Sequence, residues 1–110
     1  MRIGQLATVS GVPVETIRYY EKEGLLPEPQ RAANNYRIYQ EHHLERLTFI
    51  RNCRAFDMSL EEIRALLTAA TEGESTCLPI NDIVREHIEH IEIRIHELQD
   101  LKRRLAQLQA

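Results

Sequence analysis

Five residues suited to touching a polyanion fall in one short stretch: Thr16, Arg18, Tyr19, Tyr20 and Lys22. Arginine is the commonest reader of guanine edges, and threonine suits a base edge or a thymine methyl. Tyrosine and lysine bond phosphate oxygens, which fixes register on a duplex without reading sequence. A second group follows at Arg31, Tyr36 and Arg37, and a third at Arg51 and Arg54, one helical turn apart. Both suit an adjacent stretch of nucleic-acid backbone. Taken singly, each of these residues reads equally well as solvated surface, with one tyrosine in a core. The constellation, set on the elements described below, is what points to double-stranded DNA.

The other chemistry available is metal ligation. Cys77 stands just ahead of an expected helix start, where free backbone N–H groups and the helix dipole favour a thiolate. A thiolate is the ligand a soft metal takes. Spacing alone also allows a small apolar residue at a loop–helix junction. His87 and His90 are three apart and share a helix face, with Glu86 and Glu89 beside them. That suits half of a metal site, though such residues are more often a solvated helix face. Cys53 falls among apolar helix positions and reads as core. His42 and His43 have no partner pattern, and His96 stands too far along to join the pair. With no nucleophile–base pairing and no phosphate-binding glycine loop, nothing in the sequence supports an enzyme.

These residues need elements to position them. Ile3, Leu6, Ala7 and Val9 recur at helical spacing, and Ser10-Gly11 makes a tight turn. Pro13 suits the first position of a second helix, which runs to Gly24; Pro27 and Pro29 prevent continuation. Two short helices across a glycine turn form a helix-turn-helix unit, whose second helix enters the major groove. Residues 30–39 read as a two-stranded hairpin, with Asn34-Asn35 as its turn: a wing. A helix begins near Glu41 with Leu44, Leu47 and Ile50 in register, and Asp57-Met58 breaks it. Ser59 and Glu62 form a capping box for the next helix, which carries Ile63, Leu66, Leu67 and Ala70.

Residues 71–76 are polar and read as a loop, and Pro79 suits the first turn of the last helix. Beyond it neither glycine nor proline interrupts the chain. Val84, Ile88, Ile91, Ile95 and Leu98 alternate spacings of four and three, and Leu101, Leu105 and Leu108 resume the stripe. This is a coiled-coil seam. A helix over 80–110 cannot bury that seam on the preceding residues alone, so a second copy of the chain is its expected partner. The organisation expected is mainly α: a winged helix-turn-helix domain over 1–70, a hinge and sensor loop over 71–79, and a dimerisation helix over 80–110.

Composition agrees with a soluble globular chain, at 43% hydrophobic and 28% charged residues. The net charge of −3 is unevenly spread. Residues 1–54 carry eight basic against six acidic side chains, and residues 55–110 six against eleven. A basic front and an acidic back fit one face turned toward a polyanion. No apolar run reaches membrane-spanning length, and the first residues lack a signal-peptide core. The expected location is the cytoplasm, where the two cysteines stay reduced.

The string ETIRYYEKEGLL at 15–26, with IGQLA before it, NYRIY in the wing and HLERLTFIRNCR after it, resembles the MerR family of bacterial transcription regulators. Within that family, RLTFIRNCR, the DMSLEEIR that follows and EHIEH are similar to the cadmium-, lead- and zinc-sensing branch. The resemblance implies a homodimer whose long helices form an antiparallel coiled coil on an inverted repeat. The promoter it implies has an overlong spacer, served by bacterial RNA polymerase. It further implies repression without metal, and activation by DNA distortion once a divalent soft metal (Cd, Pb or Zn) is bound. Divalent sensors carry cysteine at the position of Cys77, and monovalent sensors carry serine. The resemblance assigns two further metal-binding cysteines to a loop past the dimerisation helix; the sequence stops at Ala110, before that loop. His87 and His90 match an auxiliary site of the cadmium branch. The alternative is a DNA-binding repressor or architectural protein that responds to no ligand.

Overall fold

The computed structural model describes residues 1–72 and 77–109; the side chains of residues 71–80 lie outside the described residues. The elements run α1 (Ile3–Ser10), α2 (Val14–Lys22), β1 (Gln30–Arg31), β2 (Arg37–Ile38), α3 (Glu41–Ala55), α4 (Leu60–Glu72) and α5 (Cys77–Leu108). The mainly α winged helix-turn-helix and the long last helix are therefore present. The chain divides into two units, Met1–Leu67 and Thr68–Ala110.

The turn between α1 and α2 is fixed by small residues. Gly11 takes φ 72°, and its N–H donates to the Ala7 carbonyl at 3.0 Å. Ser10 Oγ accepts the Val12 N–H at 3.2 Å. A Cβ on Gly11 would sit 3.2 Å from Arg51 Nη1 at a φ that side chains rarely adopt, so glycine is needed here twice over. Pro13 is the residue before α2 rather than its first helical residue: its ψ of 149° is extended, and its carbonyl takes the Ile17 N–H. The α2 helix stops where Gly24 reverses the chain at φ 74°, and the Tyr20 carbonyl collects the N–H groups of Leu25 and Leu26.

The wing is a short antiparallel pair in which Gln30 faces Ile38 and Arg31 faces Arg37. Its turn is closed by Asn35 at φ 69° and by Asn34 Oδ1, which accepts the Tyr36 N–H. The expected capping box of α4 is formed in both directions. The Ser59 N–H donates to Glu62 Oε1 at 2.9 Å, and the Glu62 N–H donates to Ser59 Oγ at 3.1 Å.

The core of Met1–Leu67 gathers one stripe from each element. Leu6, Val12, Ile17, Tyr20, Leu25, Leu26, Tyr39, Leu47, Ile50, Met58 and Ile63 are all buried and mutually packed. Cys53 packs half-buried against them, and burial pushes its thiol pKa up, as an inert core cysteine requires.

The α4 helix continues to Glu72, which shortens the loop expected over 71–76, and α5 begins at Cys77, so the hinge expected over 71–79 is shortened from both ends. The rest of the hinge expected over 71–79, residues 73–76, lies outside the described residues. At about 1.5 Å per residue, the 32 residues of α5 extend roughly 48 Å. Its apolar stripe is open: Ile88, Ile95, Leu98, Leu101 and Leu105 are 47–57% exposed and Leu108 is 81% exposed. Asp82–Arg85, Arg94–Glu97 and Asp100–Arg103 pair along its polar surface at 3.5, 3.5 and 2.6 Å. Such exposed pairs each contribute at most about 1 kcal/mol, so they do not account for a helix this long.

Candidate nucleic-acid interface

The helical period sorts the residues of α2. Ile17 and Tyr20 turn inward, while Arg18, Tyr19 and Lys22 are exposed and Thr16 is half-buried. Tyr20 is a correction to the set read from sequence. It is only 7% exposed, its ring packs in the core 6.2 Å from that of Tyr19, and it serves to seat the helix rather than to touch a duplex.

A groove of about 520 Å³ runs between α2 and the wing, lined by Arg18, Glu21, Lys22, Glu28, Arg31 and Arg37 together with Ile3 and Pro29. Four of the expected cations thus meet in one concave surface. Arg31 Nη1 donates to the Asn35 carbonyl at 3.1 Å, which stiffens the wing turn. The Arg2 guanidinium lies 4.1 Å above the Tyr36 ring and leaves that ring half exposed at the wing tip. Arg37 Nη1 donates to Glu21 Oε2 at 2.9 Å.

Glu21 gave no signal in the sequence, because its partner is sixteen residues away on another element. Its side chain is 9% exposed, and its second oxygen, Oε1, has no hydrogen-bond partner. Behind it lies Tyr39, 1% exposed. Burial first, and then the Glu21 carboxylate, push the Tyr39 phenol up to about 12 against the opposing pull of Arg37. It stays a neutral core group at any physiological pH.

The third expected pair is placed differently. Arg51 Nη1 donates to the Ser10 carbonyl at 2.7 Å, and Arg54 Nη1 donates to the Met58 carbonyl at 3.2 Å. Two more arginines behave alike: Arg46 donates to the Leu25 carbonyl at 3.0 Å, and Arg64 donates to the Glu23 carbonyl. Carbonyls left over at helix ends carry partial negative charge and want such donors. Apart from Arg2, which stacks on Tyr36, the basic residues of Met1–Leu67 therefore divide into two sets. Arg18, Lys22, Arg31 and Arg37 line the groove, while Arg46, Arg51, Arg54 and Arg64 tie down the ends of the helices. Each guanidinium has five N–H groups, so Arg51 and Arg54, both exposed, keep donors for a phosphate while bracing the fold.

His43 is another residue the sequence pattern missed. It is 1% exposed. Its Nδ1 accepts the Gln40 N–H at 2.9 Å, so Nε2 carries the proton and donates to the Pro27 carbonyl at 3.2 Å. One neutral imidazole thus joins the segment after α2 to the start of α3. Burial, then the neighbouring His42 ring 4.1 Å away, hold its pKa below the ordinary histidine value.

His87 is half-buried and His90 exposed on α5, with ring centroids 6.3 Å apart and edge-on. Cys77 is the first residue of α5, and its side chain lies outside the described residues. Among the described residues no three His, Cys, Asp or Glu side chains gather closely enough to hold a metal ion. A tetrahedral soft-metal centre needs about four ligands, so the described donors of one chain do not complete one. No described helix is long and apolar enough to cross a membrane.

Comparison with known proteins agrees with this geometry. Residues 1–70 match the MerR HTH family regulatory proteins, and residues 44–108 match the MerR DNA-binding family. The chain belongs to the MerR family. It is 47% identical over 108 residues to the transcriptional regulator ZntR homolog of Haemophilus influenzae, covering 98% of this chain and 80% of that one. It is 40% identical over 107 residues to the mercuric resistance operon regulatory protein of Bacillus cereus, covering 97% and 81%. The crystal structure of the transcription regulator PbrR691 from Ralstonia metallidurans CH34, in complex with lead(II), superposes with a TM-score of 0.69 at 48% identity, covering 98% of this chain and 84% of that one. This MerR-family chain is a DNA-binding transcription regulator and not an enzyme.

Proposed function

We propose that this MerR-family chain is a cytoplasmic, homodimeric, metal-responsive regulator of a bacterial promoter. Two copies of the groove between α2 and the wing would grip an inverted repeat, held at fixed separation by paired α5 helices in antiparallel coiled-coil packing. Without metal the complex represses. With a divalent soft metal (Cd, Pb or Zn) it activates, by distorting an overlong spacer so that RNA polymerase can use both promoter elements. DNA deformation of this kind costs a few kcal/mol, which the difference in metal affinity between two protein conformations must supply.

The observation that carries the DNA reading is the convergence of Arg18, Lys22, Arg31 and Arg37 on one groove beside an exposed Tyr19 and a half-buried Thr16. In this reading Arg18 and Thr16 read bases, while Tyr19, Lys22, Arg31, Tyr36, Arg37, Arg51 and Arg54 fix the backbone. Metal sensing rests on Cys77 as the sulfur donor, with His87 and His90 as auxiliary donors, and on the likeness to a regulator crystallised with lead(II). The remaining ligands would come from outside this set of residues. The absence of a complete donor set among the described residues favours, as a second reading, a DNA-binding repressor or architectural protein that responds to no metal.

One titration separates the two. A duplex is selected from a randomised pool by the wild-type protein. Its affinity is then measured against a scrambled duplex, over a range of salt, with and without Cd(II), Pb(II) or Zn(II). The proposal expects salt-dependent preference for the selected duplex and a metal effect that Cys77→Ser removes. Equal affinity for both duplexes would overturn the DNA reading. A metal effect absent from wild type, or unchanged in Cys77→Ser, would leave the second reading in its place.

A further inference from the structure

Two carboxylates of the groove, Glu21 and Glu28, work against its apparent purpose, and Glu21 is the more buried one. Glu21 places a carboxylate among four cations on a surface meant for phosphates. Like charge repels a phosphate, and burying a carboxylate with one oxygen unpartnered costs free energy. Both penalties are tolerable only if the residue supplies something else. What it supplies is visible in its one strong bond: Glu21 Oε2 accepts from Arg37 Nη1 at 2.9 Å. Glu21 is on α2, the reading helix, and Arg37 is on β2, the far strand of the wing. The wing strands are two residues each and none of the four is buried, so they have little core of their own to hold them in place. Tyr39, the residue that follows β2, is buried beside the pair, close enough for both Glu21 and Arg37 to act on its phenol.

We propose that Glu21 is a positioning residue for duplex recognition: it clamps Arg37, and with it the wing, to the reading helix, so that helix and wing meet the duplex as one rigid surface. The inference rests on the DNA-binding reading above. A charge-assisted hydrogen bond is roughly twice as strong as a neutral one, enough to hold a two-residue strand in register with the helix beside it. Free of Glu21, the Arg37 guanidinium could follow any phosphate within reach. Binding would persist, but the wing would no longer enforce the alignment of Arg18 and Thr16 over particular bases.

The test uses the selected and scrambled duplexes, with wild type, Glu21→Gln, Arg37→Gln and the double variant. Glutamine keeps the shape of Glu21 and removes its charge. The expected result for Glu21→Gln is a loss of discrimination of about tenfold, with affinity for the scrambled duplex unchanged or raised because a repelling charge is gone. A residue needed only for folding would weaken both duplexes together. Arg37→Gln, made on an exposed strand, should lose similar discrimination, and the double variant should lose no more than either single one. Full discrimination in Glu21→Gln, equal weakening of both duplexes by Glu21→Gln, or additive losses of discrimination in the double variant would each overturn the inference. A wild type that fails to discriminate would instead overturn the DNA reading itself, so the two failures are told apart.

Discussion

The two units use the same apolar residues at the same helical spacings and treat them in opposite ways. In Met1–Leu67, Leu6, Ile17, Leu47, Ile50 and Ile63 are all fully buried. In α5, Ile95, Leu98, Leu101 and Leu105 lie about half exposed along a stripe of roughly 48 Å. The first unit satisfies its own pattern with short helices and turns, and so can present a fixed reading surface. The second carries a pattern that one chain cannot satisfy. An apolar stripe this long marks an interaction surface, and a heptad-like period selects another helix as the occupant. The contrast teaches that, in the proposed dimer, recognition chemistry and its spatial repetition fall to the two different parts of the sequence.

The comparison sharpens if the two stripes respond differently to damage. Leu47→Ala should destabilise the folded protein by about 2–5 kcal/mol, read by urea unfolding, because the cavity lies in a closed core. Ile95→Glu combined with Leu98→Glu should leave the unfolding of residues 1–67 unchanged but abolish dimers in sedimentation. Affinity for the selected duplex should then fall roughly 100-fold, the loss expected when two linked grips become one. A seam variant that remained dimeric would break the comparison.

The bracing arginines give a smaller effect inside the first unit. Arg51→Ala removes the donor to Ser10 and should cost about 1 kcal/mol in thermal or urea unfolding. Arg51→Lys should recover only part of this, since a single ammonium does not hold the same fork geometry. No measurable cost would show that the turn at Gly11 needs no tie.

The smallest effect is the pH response of His43. Its folded-state pKa is depressed, so the stability it contributes is complete above the unfolded value of about 6.5 and is lost as pH falls through the folded value. A proton on Nδ1 would also turn the acceptor of the Gln40 N–H into a donor. Unfolding midpoints should drop as pH falls below the unfolded value of about 6.5, and His43→Gln should flatten that slope.

Much of this was legible from local pattern. The Ser10-Gly11 turn, the Asn34-Asn35 hairpin, the Ser59–Glu62 box and the stripe of α5 each depend on residues within a few positions of one another. What escaped depended on partners far along the chain. The spacing puts Tyr20 on one face with Ile17, yet which face of α2 is core is decided by its packing on α1, and only then does Tyr19 face solvent. Arg51 reaches forty-one positions back to Ser10, and Glu21 sixteen forward to Arg37. His43 has no periodic partner because the hydrogen bonds of its ring go to backbone groups, on Gln40 and Pro27. Boundaries moved where a proline allowed two positions, as at Pro13. The roles of basic residues, reading or bracing, are settled only by which carbonyls the fold brings near them.

The most direct test is the mass of the protein on the selected duplex, by sedimentation at micromolar concentration. The account predicts two copies per duplex, and a dimer in the absence of DNA. A monomer free in solution, binding one per duplex with undiminished preference for the selected sequence, would contradict it.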